Sequence, residues 1–320
     1  MRKILGYSAF AVLMVSMAAV VVRFCTTPPT TPYDPILANL GKQRTFSIVE
    51  VGAYIGDTPN DPLFPFLNKQ MKERAGTDAM KVVLIEPIKE YFDQLRANYG
   101  NSPSIQFENI AIAATDGTLE MYRLAVDPVK HGYPEWLSQM SSLSKERMEE
   151  VWDRYEKFPE YKKFYLENRT VEVVRSMPLR QLLKKHDIKE LDLLQIDAEG
   201  YDFEILKTLD FAAVKPRFIN YERVLLKPAD EAECRQMLEK QGYVLVDWEV
   251  QFGEHLNTLC IRKDCLNDYA AESVGWYDPA GWRFRKELAI ASTGGILAAC
   301  AMVGFSTVRS RRQRLPAASG

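Results

Sequence analysis

Ile48-Val49-Glu50-Val51-Gly52-Ala53-Tyr54-Ile55-Gly56-Asp57 is the stretch on which the fold turns. An apolar run over 46–51 gives way to a turn with glycine at 52 and 56. After the first strand of an α/β sheet, such a turn lets backbone approach a ligand at the strand's carboxyl end. Taken alone, a tight turn in any sheet protein has the same composition. The spacing is Glu-x-Gly-x-x-x-Gly, without the Gly-x-Gly-x-x-Gly through which backbone cradles a pyrophosphate. A dinucleotide is therefore disfavoured, and with it nicotinamide-dependent oxidation.

Outward from this turn, short apolar runs recur at 82–85, 191–196, 218–221 and 243–248. Amphipathic stretches separate them. Ile88, Tyr91, Phe92, Leu95 and Tyr99 fall on one helical face, and Leu179, Leu182, Leu183 and His186 repeat the arrangement. Asp61-Pro62 reads as the N-cap and first-turn proline of a helix that ends near Gly76. Strands alternating with helices predict a mostly parallel sheet. Two late strands, 243–250 and 256–261, are joined by too few residues for a crossover helix and should pair antiparallel. The domain is expected over 45–265, behind a Thr/Pro-rich stalk over 25–44.

The second strand ends Val82-Val83-Leu84-Ile85-Glu86-Pro87. A carboxylate there can accept hydrogen bonds from both hydroxyls of a ribose; it can also simply complement a helix N-terminus. Val51-Gly52-Ala53-Tyr54-Ile55-Gly56-Asp57, Ile85-Glu86-Pro87 and Leu191-Asp192-Leu193-Leu194-Gln195-Ile196-Asp197-Ala198-Glu199-Gly200-Tyr201-Asp202 together resemble the FkbM family of S-adenosylmethionine-dependent methyltransferases. Ser141-Ser142-Leu143, and Ala111-Ile112-Ala113 followed by Asp116-Gly117, resemble its intervening segments. The resemblance runs in order over about 45–250. It implies a class I methyltransferase (Rossmann-like) fold, an α/β seven-stranded mostly parallel sheet with a terminal antiparallel hairpin, and S-adenosyl-L-methionine as cofactor.

Carried onto this chain, the resemblance puts Glu50, Gly52, Ala53, Tyr54 and Gly56 at the methionine and ribose end of the cofactor. Glu86 would hold the ribose hydroxyls. Asn109 to Ala111, with Asp116, would form the adenine-side wall. The family commonly has Asn where this chain has Tyr54.

Asp197 and Glu199 follow the run over 191–196, at the edge where a transferable methyl should meet its acceptor. A hydroxyl attacks well only if a base takes its proton, and either carboxylate could be that base. The pair could instead hold a divalent cation, a reading not favoured, or serve the N-terminus of the next helix. Glu222 ends the fifth strand on the same edge, and could also form a surface pair with Arg223. His131 lies in a long loop that could reach the acceptor. Residues 144–169 form an insertion with Met148, Val151, Trp152, Tyr155 and Phe158 on one helical face. It is either a helix packed on the core or an aromatic lid over the acceptor.

The formal charge of −2 hides a partition. Residues 1–24 and 309–320 hold seven Lys/Arg and no acid, so the stretch between them carries −9. Nucleic acid is an unfavourable partner for such a body. Ile4 to Val22 and Leu288 to Val308 are uncharged apolar runs flanked by those basic ends, and both are long enough to span a bilayer. A cleaved signal peptide is the alternative for the first. Residues 266–287 would be a juxtamembrane segment. Positive-inside logic puts both ends in the cytoplasm and the domain in a lumen, endoplasmic reticulum or Golgi. The sequon Asn168-Arg169-Thr170 agrees with that side. The expectation is a membrane-anchored O-methyltransferase acting on a carbohydrate or related small acceptor; the alternative is a catalytically silent scaffold of the same fold.

Overall fold

A computed structural model describes residues 31–272, apart from 60, 144, 155–157 and 252–253. The two apolar runs and basic ends lie outside the described residues. Among the described residues, no helix is long and apolar enough to cross a membrane.

The chain order is α1 (Asp34–Lys42), β1 (Phe46–Val51), α2 (Leu63–Glu73), β2 (Met80–Ile85), α3 (Lys89–Tyr99), β3 (Ile105–Glu108), β4 (Ala111–Ile112), β5 (Gly117–Leu124), α4 (Lys145–Arg154), α5 (Pro159–Asn168), β6 (Arg169–Met177), α6 (Leu179–Lys185), β7 (Leu193–Ile196), α7 (Asp202–Lys207), β8 (Phe218–Glu222), α8 (Pro228–Lys240), β9 (Tyr243–Gln251), β10 (Glu254–Arg262) and α9 (Leu266–Glu272). Seven strands form one sheet in the order β3-β2-β1-β7-β8-β10-β9. β10 is antiparallel to both neighbours, β8 and β9, and the remaining pairs are parallel. This is the expected architecture, late hairpin included. Every residue of β1 is buried, as a strand paired on both sides and covered on both faces requires.

Register aligns the strand ends. Val51 pairs with Ile85 and with Ile196, Ile196 with Tyr221, and Ile85 with Glu108. The next residue along each strand therefore stands in one row at the carboxyl edge: Asn109, Glu86, Gly52, Asp197 and Glu222. Asn257 of β10 faces Glu222, and Trp248 of β9 faces Asn257, which extends the row across the hairpin.

The helices follow their apolar periodicity. Tyr91, Phe92, Leu95 and Tyr99 are the buried face of α3, and Leu179, Leu182 and Leu183 that of α6. Asp61 Oδ1 accepts the Leu63 amide at 2.7 Å just ahead of α2, but the N-cap is Pro62, one residue later than the sequence predicts, and carries no side-chain cap; the helix ends at Glu73 rather than near Gly76.

Two departures matter. Residues 34–42, expected inside an extended stalk, form α1, whose Ile36 and Leu40 are fully buried. Residues 266–272, expected as a juxtamembrane segment, form α9, and Tyr269 Oη donates to the Pro32 carbonyl at 3.3 Å. Apolar burial on both segments outweighs the Thr/Pro composition ahead of α1, so the folded unit runs beyond 45–265 at both ends. Second, β4, β6 and β5 make a separate three-stranded sheet, with β6 in the middle, that the apolar runs do not announce. Its Met121 and Val174 pack on Ile88 and Tyr91. Of the two readings of the insertion, the structure bears out the helix packed on the core. Trp152 is fully buried with Met148, Phe164, Tyr165, Leu137 and Leu225. Cys234, Cys260 and Cys265 are buried and free.

Candidate active site

Three adjoining clefts open along the aligned strand ends. One of about 710 Å³ runs between Gly52, Glu86, Ile110, Ala111, Met121 and Tyr201. A second, of about 500 Å³, lies over Glu50, Ala53, Thr58 and Asp61. A third, of about 1060 Å³, faces Glu199, Asn220, Glu222, Trp136, Trp248 and Glu249. Asp197 and Gln139 line all three. Among the described residues, no Lys, Arg or His lines any of them. A phosphorylated ligand would find no counter-charge here, whereas a cation would find several carboxylates.

The glycine turn is held by close approach. Gly52 and Ala53 both donate their amides to the Ile85 carbonyl at 3.0 Å. Gly52 has φ of 83°, and a Cβ on it would meet the Asp197 carbonyl oxygen at 1.8 Å. Gly56, at φ of 74°, packs against Tyr99 and Leu95 behind the turn and lines none of the clefts. Tyr54 adopts φ of 45°, a region that costs a non-glycine residue on the order of 1–2 kcal/mol and that Asn tolerates best. Its ring is edge-on to Tyr91 at 4.6 Å, a contact that Asn could not make. That packing accompanies the departure from the family's usual residue.

Glu86 is buried at the end of β2. Its Oε2 accepts the Tyr54 amide at 3.1 Å and its Oε1 the Ile88 amide at 2.7 Å. Burial outweighs both bonds and pushes its pKa up to about 8. Asn109 Nδ2 donates to the Glu86 and Pro87 carbonyls, both at 2.9 Å, so this side chain fixes the backbone that carries Glu86. Ala111 and its neighbours Ile110 and Ile112 line the first cleft. Asp116 is exposed in the turn before β5, away from the cleft linings.

Glu50 lies almost wholly out of solvent, 6% exposed, and its Oε2 has no hydrogen-bond partner among the described residues. Burial, with Asp61 and Asp197 nearby, holds its pKa well above the usual carboxylate range. An orphaned acceptor beside two further carboxylates fits the ammonium of a methionine moiety. The first cleft, apolar on one wall and closed by Glu86, fits an adenosine. The residues present therefore suit the cofactor that the resemblance implies.

Asp197 is exposed to the clefts at the carboxyl edge of the sheet, and the protein packed around it raises its pKa to about 6, with Glu249 adding to the shift. Glu199 has φ of 50° and a pKa raised first by burial, then by Asp197 and Asp202. Asp202 is fully buried; Oδ1 accepts the Glu222 amide at 3.1 Å, and burial lifts its pKa to about 7. Neither Asp197 nor Glu199 caps α7, which has no side-chain cap. Glu222 Oε2 is buried without a hydrogen-bond partner among the described residues; burial and the neighbouring acids raise its pKa. Among the described residues, no group of three or more His, Cys, Asp or Glu is arranged to hold a metal ion. His131 is exposed, 5.6 Å from the Phe164 ring, and lines none of the clefts.

Several lining residues are not among the site residues that the resemblance implies. Tyr33 Oη donates to Gln195 Oε1 at 2.9 Å, Asn220 Nδ2 to the same oxygen at 3.0 Å, and Trp248 Nε1 to Asn220 Oδ1 at 2.8 Å. This chain of bonds floors the third cleft with an aromatic and amide surface. The only advance sign of it is Gln195 and Asn220, polar residues inside otherwise apolar strands.

The family profile described as Methyltransferase FkbM domain matches residues 50–245. No curated protein matches the sequence. Among solved structures, an O-methyltransferase from Bacillus cereus in complex with SAH aligns at 10% identity, over 78% of this chain and 89% of that one, with a TM-score of 0.34. The delta-N METTL16 MTase domain aligns at 10% identity over 71% and 78%, with a TM-score of 0.34. A TehB-like SAM-dependent methyltransferase from Corynebacterium glutamicum aligns at 13% identity over 80% and 97%, with a TM-score of 0.31.

Proposed function

The chain belongs to the FkbM methyltransferase family, and from that premise we propose that it methylates a hydroxyl of a carbohydrate or related small acceptor while held at a membrane by its two ends. S-adenosylmethionine-dependent methylation is the family's activity. The finer reading rests on one observation: Asp197, a carboxylate whose pKa is raised to about 6, stands where all three clefts meet.

Bound S-adenosylmethionine supplies a methyl group on a positively charged sulfur. The chain does the rest. Glu50 and Asp61 would hold the methionine ammonium, and Glu86 the ribose hydroxyls. The wall from Ile110 to Ile112 encloses the adenine. In the third cleft, Trp136 and Trp248 supply aromatic surface while Gln195 and Asn257 supply amides, a lining suited to a polyhydroxylated molecule. Asp197 takes the acceptor's hydroxyl proton as the oxygen attacks. Positioning both reactants along the strand ends supplies much of the acceleration. The lack of Lys, Arg and His in the lining supports an uncharged acceptor over a phosphorylated or sulfated one.

Membrane attachment is supported by the uncharged runs Ile4 to Val22 and Leu288 to Val308, and a lumenal domain by the basic residues outside them. The test is incubation of the full chain with methyl-labelled S-adenosylmethionine and a pool of neutral glycans. A label that survives base hydrolysis in the sugar fraction is a methyl ether and supports the reading. Cofactor binding without label in any hydroxylated fraction sinks it. Alkaline extraction of membranes, then protease protection, tests attachment and side.

A further inference from the structure

Gln139 stands at the meeting point of the clefts, yet no motif marks it. It lines the cleft beside Glu86, the cleft over Glu50 and the cleft beside Glu222, a distribution that, among the described residues, only Asp197 shares. The two residues come from unrelated parts of the chain. Asp197 follows β7; Gln139 closes the short 3₁₀ turn Glu135–Ser138.

That turn is built to hold one residue still. Tyr91 Oη, from α3, donates to the Ser138 carbonyl at 3.1 Å. Tyr165 Oη, from α5, donates to the Met140 carbonyl at 2.9 Å. Both phenols are buried, and Leu137, Ser138 and Met140 are buried too. Gln139 alone in this run is half open. Its amide nitrogen bonds back to Trp136, and its carboxamide takes no hydrogen bond from the described residues. A side chain pinned on both flanks, partner-free, and facing three cavities is provided for something that enters them.

We propose that Gln139 is a specificity-determining residue at the point of transfer, its carboxamide oxygen facing the atom that passes from cofactor to acceptor. The inference rests on the methyl-transfer reading above. It is independent of the acceptor's identity, because the position itself can be probed. Sinefungin carries an aminated carbon where S-adenosylmethionine carries the methylated sulfur, so its ammonium occupies the transferred position. S-adenosylhomocysteine has nothing there.

The experiment is calorimetric binding of both ligands to the full chain. The wild type should bind sinefungin about tenfold tighter than S-adenosylhomocysteine, the gain of a hydrogen bond from a charged donor. Gln139→Leu, which breaks no existing bond, should erase most of that preference and leave S-adenosylhomocysteine affinity within about twofold. Gln139→Glu should widen the preference by setting a carboxylate against the ammonium. Equal loss for both ligands in Gln139→Leu overturns the proposal, since it marks a role in cofactor seating alone. So does a wild type without preference, or variants that leave it unmoved. Failure of the folded wild type to bind either ligand overturns the methyl-transfer reading, and this inference with it.

Discussion

Gly52 and Asp197 touch through backbone: the α-carbon of one lies so close to the carbonyl of the other that a Cβ would stand 1.8 Å from the oxygen. The Asp197 amide also donates to the Val51 carbonyl at 2.9 Å. The cofactor turn and the candidate base are therefore one rigid junction between β1 and β7. Gly52→Ala must either break that junction or push the turn off its φ of 83°. The expected cost is about 2–4 kcal/mol, from overlap and left-handed strain together. Urea denaturation reads it. A variant as stable as wild type that still binds S-adenosylhomocysteine would show the approach to be relaxed in solution.

Asp197 acts as a base only when ionised. Its pKa is raised to about 6, so turnover should climb as pH rises through 6 and level off above. Asp197→Asn keeps the shape and removes the proton acceptor. A fall of roughly 10²–10⁴ in kcat is expected, with cofactor affinity changed far less. A pH–rate profile and calorimetry on the same preparation check both halves. Loss of cofactor binding equal to the loss of rate would reassign Asp197 to holding the cofactor.

Trp152 separates the two readings of the insertion. It is fully buried against Tyr165 at 5.3 Å between ring centroids, inside a cluster that reaches Leu225 after β8. Trp152→Ala should cost about 3–5 kcal/mol of stability, as large core truncations do. A lid residue would instead raise the acceptor KM and leave the denaturation midpoint in place.

The row of strand-end residues was legible because parallel strands of similar length end together, and each end carries a residue type that apolar runs do not. Gly52, Glu86, Asp197 and Glu222 all announced themselves in this way. Gln139 did not, because its place depends on phenols arriving from α3 and α5, tertiary contacts with no local signature. The three-stranded sheet escaped for a similar reason. β6 alternates exposed Val171 and Val173 with inward Val174, and two exposed valines in a charged segment do not read as a core strand. The stalk reading failed on Tyr33, Ile36 and Leu40, whose spacing is helical but whose preceding Thr/Pro run pointed to extended backbone.

Buried acids make the fold pH-sensitive in an unusual direction. Glu86 is 5% exposed and Asp202 fully buried, and burial raises their pKa values to about 8 and about 7. The folded state therefore binds more protons than the unfolded chain between about pH 4 and pH 8. Stability follows protons: the contribution is complete below the unfolded values near 4, and is lost as pH rises through 7 and then 8. The cofactor-free protein should thus be more stable at pH 5.5 than at pH 8.5, by an amount on the order of a few kcal/mol. Glu86→Gln and Asp202→Asn should each flatten the slope by stabilising the protein on the alkaline side. Glu86→Gln should weaken cofactor binding as it does so, because an amide nitrogen replaces one of the two carboxyl oxygens that face the ribose. Urea midpoints at the two pH values for the three proteins decide the matter, and a slope that the substitutions leave intact would assign the pH dependence to other groups.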